Sequence, residues 1–322
     1  MIVSLNSALL LSNPSLQMSE SNTYGLPLVG RFGLAHSLLA WARCEIWCRQ
    51  HAVPMLAPNW NHLRVGPYLR RERDKREYHR FFRFEDYITG LHRCWLLATL
   101  PKVRAVDVSY SVEPDRSKRQ LVVFENLVTG NFEQHFHEVA AHSAELLEAL
   151  QKMTKPRFLP DRIIEGDHIA IHIRLGDFSV APNDASIRDG VKNTRLPVLW
   201  YAEMLDQLRS ALGQDVPAVV YSDGADSDLE PVLRLTGVKR APLQAAITDL
   251  LSIAQATAMI SSGSGFSIWG CFLGQVPRIC FPGQRQIHVL NSGTGVEMEP
   301  EVDFNEPIPS DFVQVVRQRL GS

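Results

Sequence analysis

The residues best suited to chemistry in this chain fall in three short stretches of its second half. In IAIHIRLGD at 169–177, Ile169, Ile171 and Ile173 alternate and so share one face of a strand. His172 and Arg174 then share the opposite face, and Gly176 and Asp177 end the strand just beyond them. Ligands of open α/β sheets bind outside the carboxyl ends of the strands. An arginine there suits a diphosphate, because it is charged at every relevant pH and offers a fork of donors to phosphate oxygens. Asp177 is placed to hold the guanidinium. The same residues equally describe a buried Arg–Asp pair beside a packed histidine.

The second stretch, ISSGSGFSIWGCFLG at 260–274, runs strand, Ser/Gly turn, apolar helix. Ser264, Gly265 and Ser267 stand where free backbone N–H groups at a helix start favour an anion. An ordinary helix with a serine N-cap and no ligand has the same pattern. The third stretch is YSDGADSDLE at 221–230, with Asp223, Asp226 and Asp228. Carboxylates at a strand end accept hydroxyl or base N–H bonds, and they are also good turn and cap residues. The loop lacks the terminal glutamate of an EF-hand, which excludes that calcium site. Asp249, in the helix before the Ser/Gly turn, is unexceptional by itself.

From residue 163 onward, strands and helices alternate. Strands are expected at 169–176, 218–223, around AMISS, and at 278–282, with helices at 199–212, at 242–256 and from about Gly265. Such alternation predicts a parallel, Rossmann-like sheet with crossover helices. The first half reads as helical and aromatic-rich, with a helix over 33–51, a short strand at 53–58, a strand at 121–125 and a helix over 136–151. The mixed block at 68–87 fits either an acceptor-facing rim or a solvated helix. KPRFLPDR at 155–162, with two prolines, marks the domain boundary. The expected division is 1–157, 158–300 and a tail of 301–322 whose helix, DFVQVVRQRL, returns to the first domain.

Composition narrows the function classes. A chain of 322 residues with formal charge −2 has no global attraction to nucleic acid or anionic membrane, so any phosphate recognition is local. Five scattered cysteines in a chain this long do not form a disulfide framework. Cys44, Cys48 and His51 could share a helix face, but a structural zinc site needs a fourth ligand, and none is evident nearby. No run of about 20 apolar residues is present, and the apolar N-terminal stretch lacks a basic leader, so a cytoplasmic protein is expected; no cofactor is expected. The absence of G-x-G-x-x-G after a first strand argues against an NAD-type dehydrogenase.

Taken together, the three stretches resemble a known family. HIRLGD at 172–177 resembles the H-x-R-x-G-D motif of α1,2-fucosyltransferases and their α1,6- and protein O-fucosyltransferase relatives. YSDGAD at 221–226 resembles the second stretch of these enzymes, and SGFSIWGCFL at 264–273 is similar to their S-S-F-S-W-W-x-x-W-L segment. The resemblance covers roughly 165–285. It implies a GT-B-like α/β fold, two Rossmann-like domains facing a cleft, that needs no metal. It further implies inverting transfer of fucose from GDP-fucose to a hydroxyl of a glycan or other acceptor. Arg174 would neutralise the β-phosphate as the bond breaks, and His172 and Asp249 would contact guanine. Ser264, Ser267 and the backbone at Gly265 and Phe266 would hold the phosphates, with Asp223 supporting the pocket. GRFGLAH at 30–36 resembles the G-x-G-N-Q turn that faces the donor sugar, but Leu34 and Ala35 replace Asn-Gln. His36, just after, is a candidate base. Leu175 stands where many relatives carry a second basic residue. Another nucleotide sugar on the same fold, or a nucleotide-sugar-binding protein that has lost transfer, remains compatible with these residues.

Overall fold

Strands buried on both faces lose the polar alternation of a half-exposed sheet, and IAIHI at Ile169–Ile173 is buried at every position. It is the central strand of the second of two parallel sheets. The computed structural model describes residues 21–30, 32–61, 77–105, 117–125, 132–161, 166–176, 178–285, 288–290 and 295–321. The first sheet contains β1 (Thr23–Leu28), β2 (Lys102–Arg104) and β3 (Gln120–Glu125), in the order β1-β3-β2. The second contains β4 (Ile169–Ile173), β5 (Ala218–Ser222), β6 (Val238–Arg240), β7 (Ala258–Ser261) and β8 (Arg278–Cys280), in the order β6-β5-β4-β7-β8.

The helices of the first unit are α1 (Leu34–Gln50), α2 (Gly90–Thr99), α3 (Phe132–Val139) and α4 (Ser143–Met153). Those of the second are α5 (Asp184–Arg188), α6 (Val198–Leu212), α7 (Asp226–Leu233), α8 (Ala246–Ile253), α9 (Gly265–Gly274) and α10 (Ser310–Arg319). Two parallel α/β units of this kind make up the GT-B-like architecture expected from the sequence.

The pleat of β4 sorts its side chains as the alternation predicts. Ile169, Ile171 and Ile173 pack with Leu205 and Leu208 of α6, Val232 of α7 and Val313 of α10. Ala170 faces the other layer, with Ile253 of α8 and Cys271 of α9. The strand order reverses between β4 and β7: successive strands step from β4 to β5 and β6 on one side, and to β7 and β8 on the other. That is the switch point at which doubly wound sheets open a crevice.

The two units share one apolar core. α1 is buried almost all round, from Leu34 to Cys48, as a helix must be when it has protein on every side. One side of it meets Val122 and Phe124 of β3, and the same cluster continues into Leu250 and Leu251 of α8 and Trp269, Phe272 and Leu273 of α9. Trp269, with no exposed surface, donates its indole N–H to the carbonyl of Ala35 in α1 at 2.7 Å. Its ring lies 4.9 Å from that of Phe136 and 5.7 Å from that of Phe272.

Several elements differ from the sequence reading. The strand expected at 53–58 is reduced to isolated bridges, Met55 with Gly25 and Leu56 with Ile88. The helix expected over 136–151 breaks into α3 and α4 at a short turn, Ala140–His142. Of the block at 68–87, residues 68–76 lie outside the described residues, and the rest is a single helical turn at Tyr78–Arg80 followed by loop. The tail helix was expected against the first domain. It packs instead on the second: Phe312, Val313 and Val316 join the core under α6. Arg317 reaches the Ala211 carbonyl at 2.9 Å and Arg319 reaches that of Thr257 at 3.2 Å. The apolar stripe of α10 marked a docking face, but amphipathicity does not say which neighbour the face will meet.

Candidate functional site

The carboxyl ends of β4 and β5 are locked together by one carboxylate. Parallel pairing places His172 opposite Tyr221 and Ile173 opposite Ser222, so the next residues, Arg174 and Asp223, emerge side by side. Arg174 Nη1 lies 2.8 Å from Asp223 Oδ2. Asp223 Oδ1 accepts the backbone N–H of Leu175 at 2.8 Å, and Gly176 donates a further backbone bond. Burial alone would raise the Asp223 pKa, but Arg174 and these two N–H groups outweigh it and hold the carboxyl below its ordinary value.

Two glycines permit the fit. A Cβ on Gly176 would collide with Asp223 Oδ2, and one on Gly224 would sit 2.5 Å from Leu175 Cδ1. The sequence reading gave the clamping role to Asp177, which lies outside the described residues. Among the described residues, the carboxylate on the guanidinium is Asp223, the residue just past β5. Leu175, noted as a departure from a basic pattern, is 6% exposed and packs in the core.

His172 lies at the switch point, 5% exposed. Its Nδ1 is 2.7 Å from Ser267 Oγ and 2.8 Å from Ser262 Oγ. Ser264 Oγ stands 3.2 Å from both of those hydroxyls. The ring stacks on Phe266 with centroids 5.2 Å apart. Burial, reinforced by the Arg174 charge, pushes the His172 pKa down to about 3, so the imidazole is neutral at physiological pH. If a serine hydroxyl donates to Nδ1, the proton of the neutral ring resides on Nε2.

This depression has a measurable consequence. The unfolded chain binds a proton on this residue below roughly pH 6.5 and the folded chain does not. The stability it contributes is therefore complete above about pH 6.5 and is lost as pH falls toward 3. His168 is lowered too, by burial first, and adds to the same slope. Urea unfolding at pH 7.5 and pH 5 should show lower stability at pH 5, and His172→Gln should flatten that difference. An unchanged difference would mean that His172 titrates normally.

Ser264 and Ser267 do not present their hydroxyls outward. Ser264 is the N-cap of α9, accepting the Ser267 N–H at 3.3 Å, and Ser267 has no exposed surface. Both hydroxyls are taken up by the network around His172. What the turn offers to an anion is backbone: the N–H groups of Gly265 and Phe266 occupy the first two positions of α9.

Phe266, in that first turn, borders a cavity of about 400 Å3, within the range of small-molecule sites. Arg174, His172, Tyr221, Asp223, Asp249 and Phe266 line it from the second unit. The loop at 241–245, expected as part of a helix, lines it as well, because α8 begins only at Ala246. Asp249 therefore sits in the first turn of α8, where it accepts from Gln244 Nε2 at 2.7 Å.

From the first unit come Glu77, Arg80, Phe81 and Phe158. The sequence places Glu77, Arg80 and Phe81 only within a mixed charged block, and Phe158 only in the two-proline boundary segment. Their anchor is Tyr78, 3% exposed, whose hydroxyl accepts the Leu34 N–H at the start of α1 at 3.0 Å. His36 is not among the lining residues. Its ring is in contact with solvent 6.2 Å from that of Phe32. Among the described residues, no group of three or more His, Cys, Asp or Glu side chains gathers as a metal site, and no helix is long and apolar enough to cross a membrane. Cys44 and Cys48 are buried with their sulfurs 4.0 Å apart.

No protein-family model and no curated protein matches the chain. Among solved structures it is similar to the NodZ alpha-1,6-fucosyltransferase co-crystallised with GDP, at 14% identity over 80% of this chain and 94% of that chain, TM-score 0.44. Fucosyltransferase NodZ from Bradyrhizobium matches at 13% identity over 81% and 96%, TM-score 0.43. POFUT1 in complex with GDP matches at 10% identity over 80% and 98%, TM-score 0.41. Likenesses this distant assign no residue a role.

Proposed function

We propose that this chain is an inverting glycosyltransferase that takes fucose from GDP-fucose and transfers it to a hydroxyl acceptor. The observation that carries the reading is the cavity at the carboxyl ends of β4 and β5. It combines Arg174, Phe266 in the half-buried first turn of α9, and the carboxylate of Asp249. The charge of Arg174 is already shared with Asp223. The N–H groups of Gly265 and Phe266 therefore supply the rest of the field a diphosphate needs.

Asp249 accepts hydrogen bonds and cannot donate them when ionised. That matches the N1–H and N2–H edge of guanine, whereas adenine places an acceptor at N1. His172, neutral and stacked on Phe266, belongs to the same wall.

In the transfer, the acceptor oxygen bonds to the anomeric carbon as the bond from that carbon to the β-phosphate oxygen breaks. The electron pair leaves on the diphosphate, where Arg174 and the backbone N–H groups stabilise it. The acceptor proton must pass to a base. Of the lining residues contributed by the first unit, Glu77 is the one that can take it.

GDP release tests the reading. Incubation with GDP-fucose should liberate GDP, faster than UDP or ADP is liberated from the corresponding sugar nucleotides. Tight GDP binding without release from any donor would instead favour a nucleotide-sugar-binding protein, a reading that the replacement of Asn-Gln by Leu34 and Ala35 keeps open.

A further inference from the structure

Arg240 lies outside the cavity lining, yet it is bonded to the loop that holds Arg174 in place. It is the last residue of β6 and pairs with Val220 of β5. From that edge its side chain reaches over the carboxyl end of β5. Nη2 donates to the carbonyl of Gly224 at 2.6 Å and to that of Ser222 at 3.2 Å, and Nη1 pairs with Asp226. The Asp226 side chain is 76% exposed, so that limb is screened by water and contributes little. The two carbonyl bonds are part-buried and charge-assisted.

These two carbonyls flank Asp223. With both turned toward Arg240, and the Gly224 N–H bonded back to Ser222 Oγ at 3.0 Å, the turn between them has little freedom. Asp223 projects toward β4, where it meets Arg174 and the N–H of Leu175. The clash that a Cβ at Gly224 would make with Leu175 shows how closely the two loops approach.

We infer that Arg240 is a positioning residue for the phosphate site: it fixes the β5–α7 turn, the turn fixes Asp223, and Asp223 aims the Arg174 guanidinium. Its significance for catalysis rests on the proposed diphosphate site. Its effect on the loops does not, and can be measured without ligand.

Arg240→Met keeps the stem and removes the donors. In amide hydrogen exchange on the whole chain without nucleotide, Leu175 and Gly176 should exchange at least tenfold faster in this variant than in the wild type. Asp223→Asn should produce a similar increase, and the double variant should add little to either single one. The same variants titrated with GDP and GMP should lose roughly tenfold in GDP affinity and much less in GMP affinity, since the β-phosphate is the group that Arg174 would meet.

Unchanged exchange at Leu175 and Gly176 in Arg240→Met would overturn the inference, whatever the nucleotide data. So would effects that simply add to those of Asp223→Asn. Faster exchange without GDP binding by any form would leave the positioning role standing and count against the donor site.

Discussion

Alanine in place of Trp269 is expected to destabilise the fold by about 3–5 kcal/mol, the cost of deleting a large buried aromatic side chain. The residue has no exposed surface, and its indole lies between the two units, among Phe136, Phe272 and the Ala35 carbonyl. Trp269→Phe keeps most of the bulk and loses the N–H bond, and should cost about 1 kcal/mol for that bond plus a smaller packing loss. Chemical denaturation of the three proteins measures both. A loss below about 1 kcal/mol for the alanine variant would mean that the seam between the units is not a shared core. The effect reaches the site too, because Trp269 anchors the helix whose first turn supplies Gly265 and Phe266.

Arg174→Ala should lower GDP affinity by roughly a hundredfold, about 3 kcal/mol, as expected for losing charge-assisted bonds to a phosphate. Its effect on stability should be the smaller of the two, because Asp223 keeps the backbone N–H bonds of Leu175 and Gly176 and part of both side chains still reaches water. Part of the affinity loss comes from Asp223, left unpaired beside the incoming anion. Arg174→Ala combined with Asp223→Ala should therefore bind better than Arg174→Ala alone. Calorimetry and thermal unfolding of the same samples separate these quantities. A comparable fall in stability and affinity would indicate a structural ion pair.

Local patterns made much of this legible beforehand. The alternation in IAIHI placed His172 away from the isoleucines, and Ser264 before an apolar run marked the start of α9. What a local pattern does not carry is sheet order. Asp177 is the nearest carboxylate in sequence to Arg174 and lies outside the described residues; Asp223, distant in sequence, is brought into contact with it because β4 pairs with β5. A signal is present, since each strand is followed by a charged residue with a glycine one or two positions later; reading it requires that pairing and its register. The serines were read as phosphate ligands because their type and place were right. Their burial and the three-dimensional approach of His172 turned the hydroxyls inward. Glu77, Arg80 and Phe81 were missed as lining residues because they have no strand or helix periodicity, and are carried to the cavity by the bond from Leu34 to Tyr78.

The central claim is that the cavity beside Arg174 and the start of α9 holds a guanosine diphosphate. Calorimetric titration of the wild-type protein with GDP, UDP and ADP tests it most directly. The predicted result is saturable GDP binding with a Kd within the roughly 1 μM–1 mM range of enzyme substrates, with UDP and ADP at least tenfold weaker. Folded protein that gives no binding heat with any of the three, or that prefers ADP, would contradict it.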